Sequence, residues 1–246
     1  LPDEMQKREW AIETIKAVYR RFGFVPMETP ALETTEVLEK KCGEEIKGQL
    51  FRVDDGRLAL RFDLTVPLAR VASSNTFRKP FKRYCIAPVW RREEPQKGRF
   101  REFFQADADI IGTPTVRAEA ELIAAATTAI SKLGFAGAQV RLNDRRIISA
   151  IASRLLTGRE GEVLRILDKR EKIGNEATVK MLADAGVGSK DAEKLISDLT
   201  AAGGNDAKLK VASSYSPEAA EDLQELLGLL EGYGKVKAEL DFSLVR

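Results

Sequence analysis

Two strand-like runs joined by a polar turn constrain the fold of this chain more than any other feature of its sequence. The runs cover residues 83–90 and 100–111. Residues 94–98 between them read Glu-Pro-Gln-Lys-Gly, a composition typical of turns. Two runs of this length on either side of a turn predict a long antiparallel hairpin.

One face of the predicted hairpin carries an unusual set of side chains. Because side chains alternate faces along a strand, Arg91 and Glu93 share a face of the first arm. The same parity on the second arm gives Arg99, Arg101, Phe103, Gln105, Asp107 and Asp109. If the two faces coincide, guanidinium groups that suit phosphate lie beside a ring on which a base can stack. The alternative is a solvated hairpin face that binds nothing.

Hydrophobic spacing and turn residues predict helices and short strands around this hairpin. Helices are expected at 2–22, from Pro67 to 73, and at 113–134 with Thr113 as N-cap, and short strands at 24–30, 51–53, 58–62 and 139–143. The fold class is therefore α+β, an antiparallel sheet flanked by helices.

The second half of the chain is different in composition. In residues 145–230 the apolar residues recur at helical spacing, and few side chains are aromatic. In residues 236–244 apolar and polar residues alternate, as expected of a strand that rejoins the sheet. We predict a core formed by residues 1–143 and 236–246, with residues 144–235 as an inserted helical domain.

Composition excludes several classes of site. The chain has 246 residues and no histidine, which rules out Ser-His-Asp or Cys-His catalysis and His-ligated metals. Cys42 and Cys85 are too few for a four-cysteine zinc site, and we expect free buried thiols and a cytoplasmic location. No apolar run is long enough to cross a membrane. Residues 78–101 hold nine Lys or Arg and two Glu, so this basic block predicts an anionic partner.

The hairpin sequence resembles motif 2 of class II aminoacyl-tRNA synthetases, in the form found in histidyl-tRNA synthetases. That form is RxExPQKGRYREFxQ, and residues 91–105 depart from it only at Phe100. Residues 24–33 (FVPMETPALE) resemble motif 1, and residues 60–70 (LRFDLTVPLAR) resemble the histidine-binding segment in its archaeal and eukaryotic spelling. Residues 240–246 (LDFSLVR) resemble the approach to the histidine-specific motif. Four such segments in order make the resemblance specific to the family.

The resemblance implies activation of histidine with ATP to histidyl-adenylate and transfer of the histidyl group to tRNA(His). The substrate carboxylate attacks the α-phosphate, so the protein supplies no nucleophile and no base. It supplies alignment and stabilisation of charge, which a site without histidine can provide. Mg²⁺ is expected with ATP, but the sequence assigns it no ligand.

The resemblance also implies a role for each matching residue. Histidine would be bound by Asp63, Leu64, Thr65, Arg91, Gln105, Asp109 and Arg246, with Asp63, Thr65 and Gln105 on its α-amino group and Asp109 on the imidazole N–H. ATP would be bound by Arg91 at the α-phosphate, Glu93 and Phe103 at adenine, and Arg99 at the outer phosphates. Arg91 and Arg246 would be the catalytic pair, and tRNA would contact Gln96, Lys97 and Arg101.

Several of these residues have a structural alternative. Asp63 could cap the helix that begins near Pro67, as aspartate often does. Gln105 and Asp109 could pair with charges on the neighbouring strand. Phe103 could belong to the core, as most aromatic residues do.

The resemblance carries expectations about assembly and completeness. A homodimer is expected through motif 1 around Pro30. The sequence stops before the family's motif 3 and anticodon-binding domain, so we expect a catalytic fragment with impaired charging. One alternative is a non-catalytic relative that acts as the regulatory subunit of ATP phosphoribosyltransferase. Another is nucleic-acid binding through the basic block alone.

Overall fold

A computed structural model describes residues 1–40, 47–199, 203–234 and 236–245. The chain divides into two compact units, Leu1–Phe135 and Ala136–Arg246. The predicted split into a core of residues 1–143 and 236–246 and an insertion of residues 144–235 remains a prediction. The fold class is confirmed as a mixture of helices and antiparallel sheet.

The first unit contains both arms of the predicted hairpin. Its elements are α1 (Pro2–Arg21), β1 (Val25–Pro26), β2 (Leu32–Thr34), α2 (Thr35–Glu39), β3 (Arg52–Val53), β4 (Leu58–Leu60), α3 (Thr65–Ser74), β5 (Phe81–Trp90), β6 (Glu102–Ile111) and α4 (Val116–Lys132). The helix expected at residues 2–22 and the small hairpin at residues 51–62 are both confirmed.

Strands β5 and β6 form the centre of the first unit. They pair antiparallel over their whole length, with Arg83 opposite Asp109 and Val89 opposite Phe103. Strand β1 pairs parallel with the other side of β5, so Val25 lies opposite Arg83. Strands β2, β4 and β3 form a second sheet, which is antiparallel throughout.

The two faces of the β5–β6 ladder have different surroundings. One face packs against α1 and α4 through a cluster that includes Tyr19, Tyr84 and Ala125. The other face contributes to a cluster of Leu64, Cys85, Ala87 and Val89, with Phe103 packed against it. The residues singled out on the hairpin therefore lie on the face away from these helices. Cys85 is a free, buried thiol as expected, and Cys42 lies outside the described residues.

Arg61 connects three segments of the first unit by hydrogen bonds. Its guanidinium is buried and donates to the carbonyls of Thr29 at 2.6 Å and Pro88 at 3.1 Å. Its own carbonyl accepts from the Trp90 amide at 3.0 Å. Because the Arg61 side chain is buried, these carbonyls satisfy guanidinium donors that would otherwise be costly to bury. It fixes the end of β5, from which the candidate site extends.

The helix after the hairpin begins later than the sequence predicted. Thr113 is not its N-cap, because the backbone stays extended through Thr115 and the helix starts at Val116. The Thr113 and Thr115 hydroxyls lie 3.2 Å apart. Two threonines flank Pro114, and threonine suits an N-cap at either position, so residue type alone did not separate them.

The second unit is helical apart from two short strands. Its elements are β7 (Gln139–Leu142), α5 (Arg145–Leu155), α6 (Glu160–Asp168), α7 (Arg170–Ile173), α8 (Asn175–Asp184), α9 (Ser189–Leu199), α10 (Asn205–Tyr215), α11 (Pro217–Gly232) and β8 (Lys237–Leu240). Its core is mostly aliphatic, as the helical spacing predicted, with Phe242 as a buried aromatic residue.

The strand at the end of the chain is shorter than expected and has a different partner. Strand β8 ends at Leu240 and pairs parallel with β7, in a two-stranded sheet. Among the described strands it does not join the sheet that holds the hairpin, contrary to expectation. Within the same ranges, no helix combines the length and the apolar character needed to span a membrane.

Candidate functional site

The selected residues of the two hairpin arms share one face. The Arg91 amide donates to the Arg101 carbonyl at 2.9 Å, which extends the β5–β6 register beyond the ends of both strands. In this register Phe103 and Gln105 lie opposite Val89 and Ala87. The condition set by the sequence, that the two faces coincide, is confirmed.

Arg91 is a half-buried cation held at the rim of this face. Its Nε donates to the Phe62 carbonyl at 3.1 Å, and its guanidinium carbon lies 5.1 Å from the centre of the Phe103 ring. No carboxylate among the described residues forms an ion pair with it. A positioned guanidinium with unused donors is suited to bind an anion such as a phosphate.

The tip of the hairpin is an exposed basic turn. Gln96 and Arg99 exchange backbone hydrogen bonds of 2.9 and 3.1 Å around Lys97 and Gly98. Gly98 has a φ of 79°, a conformation that favours glycine. Below the turn, Arg99 forms an ion pair of 3.2 Å with Glu93. Two residues assigned to ATP thus contact each other in this structure.

A cavity of about 410 Å³ opens between α3 and β6. Its polar lining consists of Thr65 and Asp109, and the remaining lining is aliphatic. These two side chains come from separate segments that the sequence assigned to the same substrate, and the fold brings them together.

The segment before α3 places Asp63 two residues before the cavity-lining Thr65 and buries Leu64 in the core. Asp63 Oδ1 accepts a hydrogen bond from the Val66 amide in the first turn of α3 at 3.0 Å, although the N-cap residue of this helix is Leu64. Burial raises the pKa of Asp63, whereas backbone hydrogen bonds and the charges of Arg91 and Arg83 oppose that shift. Thr65 is exposed.

The side chains of Asp109 and Gln105 on β6 have different surroundings. Asp109 Oδ2 forms an ion pair of 2.8 Å with Arg83, so its cross-strand alternative is confirmed. Gln105 Oε1 is buried and accepts no hydrogen bond from the described residues. A buried amide oxygen without a donor is costly, which fits a position that meets a polar ligand. Phe103 packs against the core cluster as well as Arg91, so its ring is part of the core's edge.

Arg83 is the residue that the sequence analysis missed. It was counted as one of the charges of the basic block, but it is buried and lies on the site face near the start of β5. Arg78, Lys79, Arg92, Lys97, Arg99 and Arg101 of that block are exposed. The hairpin register was the available signal, because it places Arg83 directly across from Asp109.

Arg246, assigned to the α-phosphate and to histidine, lies outside the described residues. Across the described ranges, no cluster of three or more His, Cys, Asp or Glu side chains is arranged to hold a metal ion.

Replacing Asp107 by asparagine is expected to stabilise the chain at neutral pH. Burial raises the pKa of Asp107, and the neighbouring carboxylates of Asp109 and Asp63 raise it further, against the opposing charge of Arg83. The folded protein therefore loses stability relative to the unfolded chain as pH rises through the acid range and Asp107 ionises. Thermal unfolding followed by circular dichroism should show a higher Tm for Asp107→Asn at pH 7.

The pH dependence is the control for that experiment. At about pH 3 the carboxyl is mostly protonated in both states, so the difference in Tm should largely vanish. The exposed Glu94→Gln substitution removes the same charge without burial, and no such pattern is expected for it. A lower Tm for Asp107→Asn at pH 7 would contradict the burial argument.

The comparisons with known proteins agree with each other. The family model described as histidyl-tRNA synthetase matches residues 1–246. The histidine–tRNA ligase of Aeropyrum pernix is 40% identical over 259 residues, covering 100% of this chain and 59% of that protein. The chain thus spans about three fifths of the length of the curated relatives it matches.

Solved structures give the same fold. The crystal structure of histidyl-tRNA synthetase from a Nostoc species matches with a TM-score of 0.84 and 26% identity, over 99% of this chain and 58% of that one. A Bacillus halodurans structure, described as an ATP phosphoribosyltransferase regulatory subunit/histidyl-tRNA synthetase, matches with a TM-score of 0.86. Its identity is 22%, over 99% of this chain and 66% of that one, so it shows the fold alone.

Proposed function

The chain belongs to the histidyl-tRNA synthetase family, and we propose that its protein activates histidine with ATP and transfers the histidyl group from the adenylate to tRNA(His), releasing AMP, in the cytoplasm. The observation that carries this proposal is the shared hairpin face, on which Arg91 lies beside Phe103 with its donors unused by any described carboxylate. The same unit holds a second group of polar residues that are suited to bind an amino acid, namely Asp63, Thr65, Gln105 and Asp109.

In the proposed reaction the histidine carboxylate attacks the α-phosphate of ATP, forming the mixed anhydride and releasing pyrophosphate. Arg91 would bind both anions and stabilise the charge that develops on the α-phosphate oxygens. The Phe62 carbonyl fixes the Arg91 side chain in advance, so little reorganisation is needed as the reaction proceeds. Arg246 would add a second cation at the same phosphate.

Adenine recognition would use the outer part of the hairpin. The Phe103 ring would stack on the base, and Glu93 would contact its amino edge. Arg99 would leave its ion pair with Glu93 to reach the outer phosphates. That pair is largely exposed on the arginine side, so breaking it costs little. Mg²⁺ would accompany the phosphates, with no ligand assigned to this chain.

The α3–β6 cavity would hold the amino acid. Asp63, Thr65 and Gln105 would bind its α-ammonium group, in the chemistry expected of carboxylate, hydroxyl and amide oxygens. Asp109 would accept the imidazole N–H at the other end of the cavity. The buried backbone of Leu64 would hold the first of these segments in place.

A homodimer through the segment around Pro30 is part of the same proposal. Val25 and Leu32 flank this segment and are 48% and 45% exposed, and Pro30 is exposed as well. Exposed apolar side chains on two strands that are consecutive in the chain are typical of surfaces that pack against a partner. Sedimentation velocity of the full-length protein would show whether it dimerises.

Replacing Gln96 and Lys97 together by alanine is expected to impair charging of tRNA(His) while sparing formation of the adenylate. Both side chains are exposed at the hairpin tip, outside the Arg91–Phe103 contact and the cavity. Losing one phosphate contact from lysine weakens nucleic-acid binding, so the KM for tRNA should rise by about tenfold at physiological salt. Charging and ATP–pyrophosphate exchange would be measured on the same full-length preparations.

Lys132→Ala is the matched control for that pair, because Lys132 is exposed at the end of α4 and carries the same charge. It should leave both steps unchanged. An equal loss of charging and exchange in the hairpin variant would contradict the proposed tRNA contact.

The regulatory-subunit alternative rests on shared fold alone. A protein of that kind would bind histidine without exchanging pyrophosphate and would restore activity to a partner ATP phosphoribosyltransferase. Aminoacylation of tRNA(His) by the full-length protein supports the synthetase. Histidine binding with neither exchange nor charging would favour the regulator.

A further inference from the structure

Arg83 is a buried cation that connects the two segments assigned to histidine. It is 1% exposed on β5. Its Nη2 donates to the Leu64 carbonyl at 3.0 Å and lies 2.8 Å from Asp109 Oδ2. One guanidinium therefore contacts both strand β6, which lines the α3–β6 cavity, and the segment that leads into α3, the helix on the other side of that cavity.

Three buried side-chain atoms on the site face have no hydrogen-bond partner among the described residues. Arg83 Nε is buried and donates to no described residue, and Gln105 Oε1 on the same face accepts from none. The ion pair with Asp109 lacks hydrogen-bond alignment, since Oδ2 also counts among the unsatisfied atoms. Unsatisfied buried groups are costly, and their concentration on one face points to a site that meets a polar ligand.

The charges that face Asp109 come from four elements. Arg83 faces it from β5, Asp63 from the segment before α3 and Asp107 from its own strand, while the Tyr19 phenol of α1 interacts with it from the opposite face of the sheet. Burial raises the pKa of Asp109 and the charge of Asp63 raises it further, whereas Arg83 lowers it. Arg83 is thus the cation that favours the ionised carboxylate at this position.

We propose that Arg83 is a positioning residue for histidine recognition: by holding Asp109 Oδ2 it leaves Oδ1 to accept the imidazole N–H of the substrate. The same side chain holds the Leu64 carbonyl, so it sets the distance between the two ends of the amino-acid site. This inference rests on the proposed function. In this proposal Arg83 does not contact ATP, so the effect of replacing Arg83 can be distinguished from the effect of replacing Arg91.

The test is histidine-dependent ATP–pyrophosphate exchange by full-length Arg83→Gln and Arg83→Lys proteins, measured against histidine, ATP and pH. For Arg83→Gln the KM for histidine should rise about 10- to 100-fold, as expected for losing a charged hydrogen-bonded group, and the KM for ATP should stay unchanged. Removing the cation raises the pKa of Asp109, so the acid limb of kcat/KM for histidine should move to higher pH. The substrate imidazole titrates in the same way with every variant, so a difference between variants in the acid limb comes from the protein.

Arg83→Lys should keep the acid limb close to that of the unmodified protein, because the charge is retained. Its KM for histidine should be intermediate, because lysine lacks the planar fork that reaches two oxygens. If Arg83→Gln does not fold, this variant decides the question by itself: an unchanged KM for histidine would overturn the proposal.

Arg61→Gln is the matched control, an equally buried arginine whose partners are the Thr29 and Pro88 carbonyls and, at 3.5 Å, the exposed carboxylate of Glu28. It should lower Tm and leave the acid limb in place. An acid limb and a histidine KM that Arg83→Gln does not move, or a shift that Arg61→Gln reproduces, would overturn the positioning role. Absence of histidine-dependent exchange in the unmodified protein would overturn the proposed function itself, and this inference with it.

Discussion

Replacing Arg91 by glutamine is expected to lower ATP–pyrophosphate exchange with histidine by about 100- to 1000-fold. Glutamine retains a hydrogen-bonding group and most of the side-chain length but loses the charge. The largest part of the loss should appear in kcat, because the stabilised charge develops in the transition state rather than on bound ATP.

The structure gives a physical reason for so large an effect. Arg91 is oriented by the Phe62 carbonyl and the Phe103 ring, so its charge is in place before substrates bind. It is also half-buried, and charges act more strongly where water is partly excluded. A cation on a flexible surface side chain would contribute far less.

Arg92→Gln is the matched control for this substitution. The neighbouring arginine is exposed and has the opposite strand parity, and its backbone amide donates to the Gln49 carbonyl at 2.7 Å. Exchange should stay within about twofold of the unmodified protein, as is usual for surface substitutions. Equal losses at the two positions would show that general basicity, not the Arg91 geometry, supports the reaction.

Replacing Asp109 by alanine is expected to lower kcat/KM for histidine by about 100-fold or more, because a polar pocket that loses its acceptor no longer favours its ligand. The same change removes the ion-pair partner of buried Arg83. Losing one member of a buried pair typically costs about 3 to 5 kcal/mol of unfolding free energy. Asp63 and Asp107 remain near Arg83, so we expect the lower end of that range.

The two effects of Asp109→Ala can be separated by a double substitution. Adding Arg83→Met removes the unpaired buried charge, so the unfolding free energy should recover while histidine activation does not. Denaturant unfolding and exchange kinetics on the same proteins would measure both. Recovery of activity together with stability would mean that Asp109 serves the fold and does not contact the substrate.

The hairpin and its site face could be predicted because they depend on local sequence. The turn residues and the alternation of side chains fix the arms, and a two-residue period fixes which side chains share a face. Arg91, Phe103 and Gln105 followed from that parity.

The environment of Arg83 could not be predicted in the same way. Its burial depends on the segment before α3, nineteen residues earlier, whose Leu64 carbonyl approaches the guanidinium. Arg61 is buried for a similar reason, through carbonyls on β5 and before β2. Composition counts such arginines as surface charge, because arginine is rarely buried unless partners far along the chain satisfy it. The start of α4 after Thr115 is a smaller case, decided by backbone geometry between two equivalent threonines.

The most direct test of the proposed function is ATP–pyrophosphate exchange by the full-length protein, measured with each of the twenty amino acids in turn. We expect exchange with histidine alone, and its loss when Arg91 is replaced by glutamine. Exchange that is absent with every amino acid, or that depends on a different one, would contradict the proposal that this site activates histidine.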